Sequence, residues 1–266
     1  MSLEGFEEFA LGHDGATRSV YRRGSGPGVV IIHEIPGITP EVARFARFVV
    51  DDGFTVFLPH LFGTPGKPFS ASYVASQMVR ACVSREFSVL ARGQTSPVTS
   101  WLRALCRHAH AECGGPGVGA IGMCLTGNFA LSLMVDESVM APVLSQPSLP
   151  FPVTSAHRAA LHLCEEDLAV VKGRVRTGCP VLGLRFTHDP LCPPERFARL
   201  REELGSGFEA MEIDSGPGNP HGIGRMAHSV VTMDLVDEKG HPTREALDRV
   251  LALFRQRLQI VGPSAG

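Results

Sequence analysis

The sequence predicts an α/β protein built on a doubly wound, mostly parallel sheet with helices on both faces. Two observations carry that reading. Runs such as "GVVIIHEIPG" (28–37), "FTVFLP" (54–59), "GVGAIG" (117–122) and "PVLGLRF" (180–186) are apolar without alternation, as strands buried on both faces are. Helix-period segments separate them, and strands alternating with helices at this spacing imply βαβ units. At 266 residues the chain can bury one large core, so a single domain over 1–266 is expected.

The elements follow in order. "ATRSVYRRG" (16–24) alternates weakly and reads as an edge strand or hairpin arm, ahead of the buried run 28–37. "TPEVARFARFVVDDG" (39–53) is a helix, with Thr39 as N-cap, Pro40 in the first turn, Val42, Phe45, Val49 and Val50 as its apolar positions, and Gly53 at the C-cap. After strand 54–59 come a long helical region over about 71–111, strand 117–122 and helix "LTGNFALSLMVD" (125–136). Strand "VMAPVLS" (139–145), helix "EEDLAVVKGRV" (165–175), strand 180–186 and helix "PERFARLREELG" (194–205) continue the alternation. Strand "GFEAMEID" (207–214) and helix "PTREALDRVLALFRQRL" (242–258) complete it. The Pro/Gly-rich stretches 148–155 and 215–224 read as functional-side loops rather than domain linkers.

Composition narrows the function. Hydrophobic residues are 44% and charged residues 20%, an ordinary globular balance, and the net charge of −2 argues against nucleic acid or an anionic membrane as partner. No run of eighteen apolar residues occurs, and the acidic N-terminus lacks a signal pattern, so a cytoplasmic location is expected. The seven cysteines are scattered and contain no C-x-x-C pair, which fits reduced thiols better than a disulfide framework or a zinc site. "HAHAEC" (108–113) spaces His108, His110 and Cys113 like ligands, but it closes a helix, where histidines suit the dipole; no metal is expected.

In a doubly wound sheet, ligand groups gather beyond the carboxyl ends of the strands. Glu34 follows "GVVIIH" (28–33), Cys124 follows 117–122, His188 and Asp189 follow 180–186, and a loop with His221 and His228 follows 207–214. A cysteine, an aspartate and a histidine thus stand in the order nucleophile, acid, histidine, as in the α/β-hydrolase arrangement. Cys124 lies between Gly122 and Gly127 in a G-x-C-x-x-G frame, one residue longer than the usual G-x-C-x-G, between strand and helix, where a thiolate faces the positive helix end. Gly122 and Gly127 remove side chains that so tight a turn would crowd. The backbone N–H of Leu125, with that of Ile35, would bind an oxyanion, each such donor contributing about 2.7–4 kcal/mol. No G-x-S-x-G occurs to compete.

"GVVIIHEIPGITPEVARFARFVVDDGFTVFLPHLFG", "GAIGMCLTGNFAL" and "FTHDPLCPPERF" together resemble the dienelactone hydrolase family, over about residues 15–260. The resemblance implies an α/β-hydrolase fold and hydrolysis of an ester or lactone of a small molecule without a cofactor. Cys124 would be the nucleophile, Asp189 the orienting acid, and Glu34 the carboxylate that pairs with the resting thiol and helps trigger it. Two histidines fit the base. His221 sits in "NPHGIG", and His228 in "AHSVVT", which is similar to the family's "GHSF". Spacing favours His228, 26 residues before Phe254 against 33 for His221; the other would line the pocket. His188 would point elsewhere. Arg80 and Arg85 fall where the family's substrate-carboxylate arginine lies, and Tyr73 is a further pocket candidate. Segment 146–170 is longer than in small members and is a possible cover for the cleft. An acyltransferase or thioesterase using the same residues, a non-catalytic thiol sensor and a homodimer remain alternatives.

Overall fold

The computed structural model describes residues 3–83 and 96–259. Eight strands form one sheet: β1 (Glu7–His13), β2 (Ala16–Arg23), β3 (Gly28–Ile32), β4 (Thr55–Pro59), β5 (Val118–Met123), β6 (Val139–Ser145), β7 (Val181–Phe186) and β8 (Phe208–Ile213). Their order is β1-β2-β4-β3-β5-β6-β7-β8, with β1/β2 and β2/β4 antiparallel and the rest parallel. The chain leaves β3 toward β4 on one side and later returns to β5 on the other. The sheet therefore reverses its winding beside β3, where such sheets open a crevice. β3, β4, β5 and β7 are buried at every residue, which is why they read as unbroken apolar runs.

The helices cover both faces. On one lie α1 (Pro40–Asp51) and α8 (Pro242–Leu258), with Phe45, Val49, Leu247 and Phe254 in the core. The other carries α3 (Pro97–Cys113) and the short α4 (Phe129–Leu133) around Trp101, Leu105 and Phe129. Thr39 caps α1 by accepting the Val42 N–H, and Gly53 follows the helix at φ +91°. The remaining helices are α2 (Ala71–Val83), α5 (Ser155–Ala159), α6 (Glu165–Arg176) and α7 (Pro194–Leu204).

Three differences from the sequence reading have physical causes. β1 takes the sheet edge and leaves 16–24 as the inner arm of a hairpin; its half-exposed, acid-rich face carries no strong strand signal. Among the described residues, the region over 71–111 holds two helices, the second capped by Ser96 with Pro97 in its first turn. The continuous helix expected over 125–136 is one 3₁₀ turn, Cys124–Thr126, followed by α4, with Gly127 and Asn128, both weak helix formers, between the two.

Segment 146–170 is pinned to α7. The fully buried Arg196 donates to the carbonyls of Pro147 (2.6 Å), Pro150 (2.6 Å), His157 (2.9 Å) and Ala160 (3.1 Å). Residues from Pro150 to Leu168 surround a separate cavity of about 400 Å³ with Arg199.

Candidate active site

The site starts with the turn after β5. Cys124 has φ +54°, a left-handed conformation that side chains rarely adopt and that surrounding structure must enforce. Thr126 helps enforce it. Its hydroxyl accepts the Met123 N–H (3.0 Å) and reaches the Ile32 carbonyl (2.9 Å), tying the turn to β3. The Cys124 carbonyl accepts N–H groups from Gly127 and Ser148, both at 2.9 Å. The glycines either side of Cys124 are steric necessities: a Cβ on Gly122 would lie within 3.0 Å of the Thr126 backbone, and one on Gly127 2.5 Å from Pro147 Cα.

Two loops bring the acid and the histidine. Beyond β7, buried Arg185 donates to the carbonyls of Cys192 (3.0 Å) and Thr187 (2.9 Å), shaping the loop that carries Asp189. Asp189 is 3% exposed; one oxygen accepts the Leu191 N–H (2.9 Å) and the other accepts His228 Nδ1–H at 2.6 Å. Beyond β8, Asp234 accepts the backbone N–H groups of His228 (2.9 Å) and Ser229 (2.8 Å) and so fixes the histidine's backbone. With Nδ1 committed to Asp189, Nε2 is left to face its other neighbours, Ser148 Oγ (3.4 Å) among them. Burial pulls the imidazole pKa down, but the charge of Cys124, the Asp189 hydrogen bond and charge, and a hydrogen bond with Cys124 outweigh it. The result lies well above the ordinary 6.5.

Glu34 lies beyond β3, 3% exposed. It accepts hydrogen bonds from Ser229 Oγ (2.7 Å), Gln146 Nε2 (3.2 Å) and the Thr232 hydroxyl. Burial pushes its carboxyl up, while the Thr232 and Ser229 hydrogen bonds and the His228 charge pull against that. Behind it, His33 bridges Leu61 N–H and the Glu34 carbonyl, and burial lowers its pKa to about 4. Cys124, His228, Glu34 and Ile35 all line one cleft of about 300 Å³.

Other expected residues fall elsewhere. His221 is exposed, with its ring 5.2 Å from that of His241. Tyr73 is buried, and its hydroxyl accepts the Thr64 N–H rather than lining the cleft. His188 is exposed, with Nδ1 beside Thr187 Oγ1 (3.1 Å). His108 pairs with Glu112 and His110 with the Gly115 carbonyl. Arg85 lies outside the described residues, as does the side chain of Arg80. Leu125 is buried in the turn after Cys124. Gln146 and Ser148, beyond β6, are participants the sequence reading missed. Gln146 has φ +34° and accepts the Ser145 hydroxyl and Val230 N–H while donating to Glu34. Both follow directly on β6, and that strand end is the sequence signal that marks them.

This sheet, with an acid-oriented histidine and a sharp strand-to-helix turn meeting in one cleft, defines an α/β-hydrolase. The particular family is equally plain: the dienelactone hydrolase family model matches residues 17–258, and the chain belongs to that family. Among solved structures, a Klebsiella pneumoniae protein assigned to the dienelactone hydrolases is 17% identical, with a TM-score of 0.64 over 94% of this chain and 98% of that one. A dienelactone hydrolase-like promiscuous phosphotriesterase from metagenomic libraries is 19% identical, with a TM-score of 0.62 over 96% and 98%. A Pyrococcus furiosus esterase is 13% identical, with a TM-score of 0.60 over 96% and 93%. At these identities the likeness is one of fold. No curated protein matches the chain in sequence. Among the described residues, no helix is long and apolar enough to cross a membrane.

Proposed function

We propose that the protein hydrolyses an ester or lactone of a small molecule through Cys124, His228 and Asp189. The observation that carries this is the 2.6 Å bond from His228 Nδ1 to Asp189, with the imidazole acting on Cys124 in the same cleft. The thiol proton passes to His228 Nε2, and Asp189, bonded to Nδ1, orients the ring and stabilises the imidazolium that forms. Cys124 Sγ attacks the carbonyl carbon, and the N–H groups of Leu125 and Ile35 bind the oxyanion that forms. Collapse breaks the bond to the leaving oxygen, which takes the proton from Nε2 and departs as an alcohol. The remaining thioester is attacked by water, whose proton passes to Nε2, and the acid leaves as the thiolate is restored. Glu34 serves as a buried carboxylate that positions the histidine loop through Ser229 and Thr232.

Replacing Cys124 by Ala should abolish turnover of 4-nitrophenyl acetate, while Ser148→Ala should retain it. Ser148 lies against His228 but is fully buried, and its hydroxyl is spent on the Gln146 carbonyl (3.0 Å). Full activity in Cys124→Ala would overturn the mechanism, and its loss in Ser148→Ala alone would move the nucleophile there. Hydrolysis, rather than acyl transfer, predicts the same product ratio with and without an added competing alcohol.

A further inference from the structure

Gln146 follows β6 in a conformation that is costly for any residue with a side chain. Its φ is +34°, in the left-handed region, and it is fully buried. The backbone is held there from two sides. Its N–H donates to the Leu184 carbonyl of β7 (2.7 Å), and its carbonyl accepts the Ser148 hydroxyl (3.0 Å). Strain of this kind persists where surrounding contacts over-determine it, and it collects at functional sites.

The two ends of the Gln146 amide are told apart by what faces them. Oε1 accepts the Val230 N–H (3.4 Å) and the Ser145 hydroxyl; a backbone N–H can only donate, so the oxygen lies on that side. Nε2 is thereby aimed at Glu34 Oε2, 3.2 Å away. Glu34 also meets the hydroxyls of Ser229 (2.7 Å) and Thr232, and a hydroxyl can turn to accept as well as donate. An amide nitrogen cannot. Of these three partners, Gln146 is the one that favours a Glu34 carboxylate whichever way the hydroxyls turn.

The charge on Glu34 bears on the histidine. From the histidine loop, His228 draws the carboxylate form out and Asp234 opposes it. His33, beside Glu34 on its own strand end, is uncharged at neutral pH, its pKa lowered by burial to about 4, and Cys124 lines the same cleft. Resting on the mechanism proposed above, we propose that Gln146 is a positioning residue whose amide keeps Glu34 ionised and tied to the histidine loop. Glu34 then supplies, beside Asp189, a second negative charge for the imidazolium that forms when Cys124 gives up its proton. The same amide grips Val230, two residues past His228, so one side chain sets both the loop and its counter-charge.

The test compares two variants of the whole chain with the wild-type protein, as kcat/KM for 4-nitrophenyl acetate between about pH 5 and pH 8. Gln146→Met removes the donor, so Glu34 ionises at higher pH. Its activity relative to wild type should be at least about tenfold down at the acid end, the ratio for one lost hydrogen bond to a charged group, and should recover in part as pH rises. The loss should fall on kcat rather than KM, since Gln146 is fully buried. Gln146→Glu should behave in the opposite sense. Protonated, the new carboxyl donates to Glu34 as the amide does; ionised, it repels Glu34, so activity relative to wild type should fall as pH rises. Opposite slopes support the proposal, and a purely structural role predicts ratios that do not change with pH. Flat ratios in both variants would overturn the proposal and leave the hydrolase reading intact. Circular dichroism at each pH checks folding. If Gln146→Met does not fold, Gln146→Glu decides, and a Gln146→Glu protein unfolded even at pH 5 would overturn the proposal. Absence of ester turnover in the wild-type protein would overturn both the proposal and the reading beneath it.

Discussion

Replacing Gly127 by Ala tests whether the turn at Cys124 is held by contact with its neighbour or by local preference alone. The backbone of Gly127 is ordinary right-handed helix (φ −53°), so alanine fits its dihedral angles and space alone decides. The added Cβ would stand 2.5 Å from Pro147 Cα, whereas ordinary contact begins at 3.4 Å, so one side must move by about 0.9 Å. Pro147 is poorly placed to yield. Its carbonyl is held by Arg196, and the next residue donates to the Cys124 carbonyl. Overpacking costs about 1–3 kcal/mol, and two backbone segments in collision put this site near about 3 kcal/mol. That corresponds to a Tm lower by about 6–12 °C for a chain of this size. A displacement near 1 Å at the sulfur should lower kcat/KM for 4-nitrophenyl acetate by about 10²-fold. Gly173→Ala is the control: it lies in α6 with nothing within 4 Å of the new Cβ and should stabilise by about 0.5–1 kcal/mol. Thermal unfolding by circular dichroism and ester turnover give both readouts. A Gly127→Ala protein with wild-type Tm and activity would refute the reasoning.

Three further outcomes are expected. Because the folded pKa of His228 is raised, its contribution to stability is complete below 6.5 and is lost as pH rises toward the folded value; urea unfolding should show a decline of up to about 1.4 kcal/mol per pH unit over that window, absent in His228→Gln. Arg196→Met leaves the buried carbonyls of Pro147 and Pro150 without donors, and at about 1–3 kcal/mol for each it should lose about 4 kcal/mol in urea unfolding; a loss under about 1 kcal/mol would show that segment 146–170 is held by other contacts. Iodoacetamide should modify Cys124, which lines the cleft, before Cys106 and Cys192, which are fully buried with thiols pushed far up by burial; peptide mass mapping of the native protein after brief exposure reads the order.

What the sequence made legible were properties local to a strand and its end. The runs at β3, β5 and β7 lack polar alternation because helices cover both faces, and the residue after each run is therefore at the crevice edge. Cys124 follows its strand directly, and Glu34 and Asp189 lie two and three residues past theirs, so all three could be picked out on that ground. The choice between His221 and His228 was harder, because both lie in one long loop and differ only in what faces them. Asp234 grips the His228 amide from six residues along and Asp189 takes its ring from 39 residues back, whereas His221 turns to His241. Spacing to α8 pointed to His228, but the groups that hold it come from other segments. Gln146 and Ser148 were invisible for the same reason. Gln146 looks like a polar residue at a turn until β6 is set beside β5 and its amide meets Glu34 from β3. The helix expected over 125–136 failed for a local reason: Thr126, Gly127 and Asn128 are weak helix formers, and the chain makes one 3₁₀ turn before α4 begins at Phe129. These misses cluster around Cys124, where a strained turn, two crowded glycines and a buried carboxylate network must be satisfied together. That is where local preference is expected to yield to the demands of a site, and it is why substitutions at Gly127 and Arg196, neither of which lines the cleft, are informative about the reacting groups.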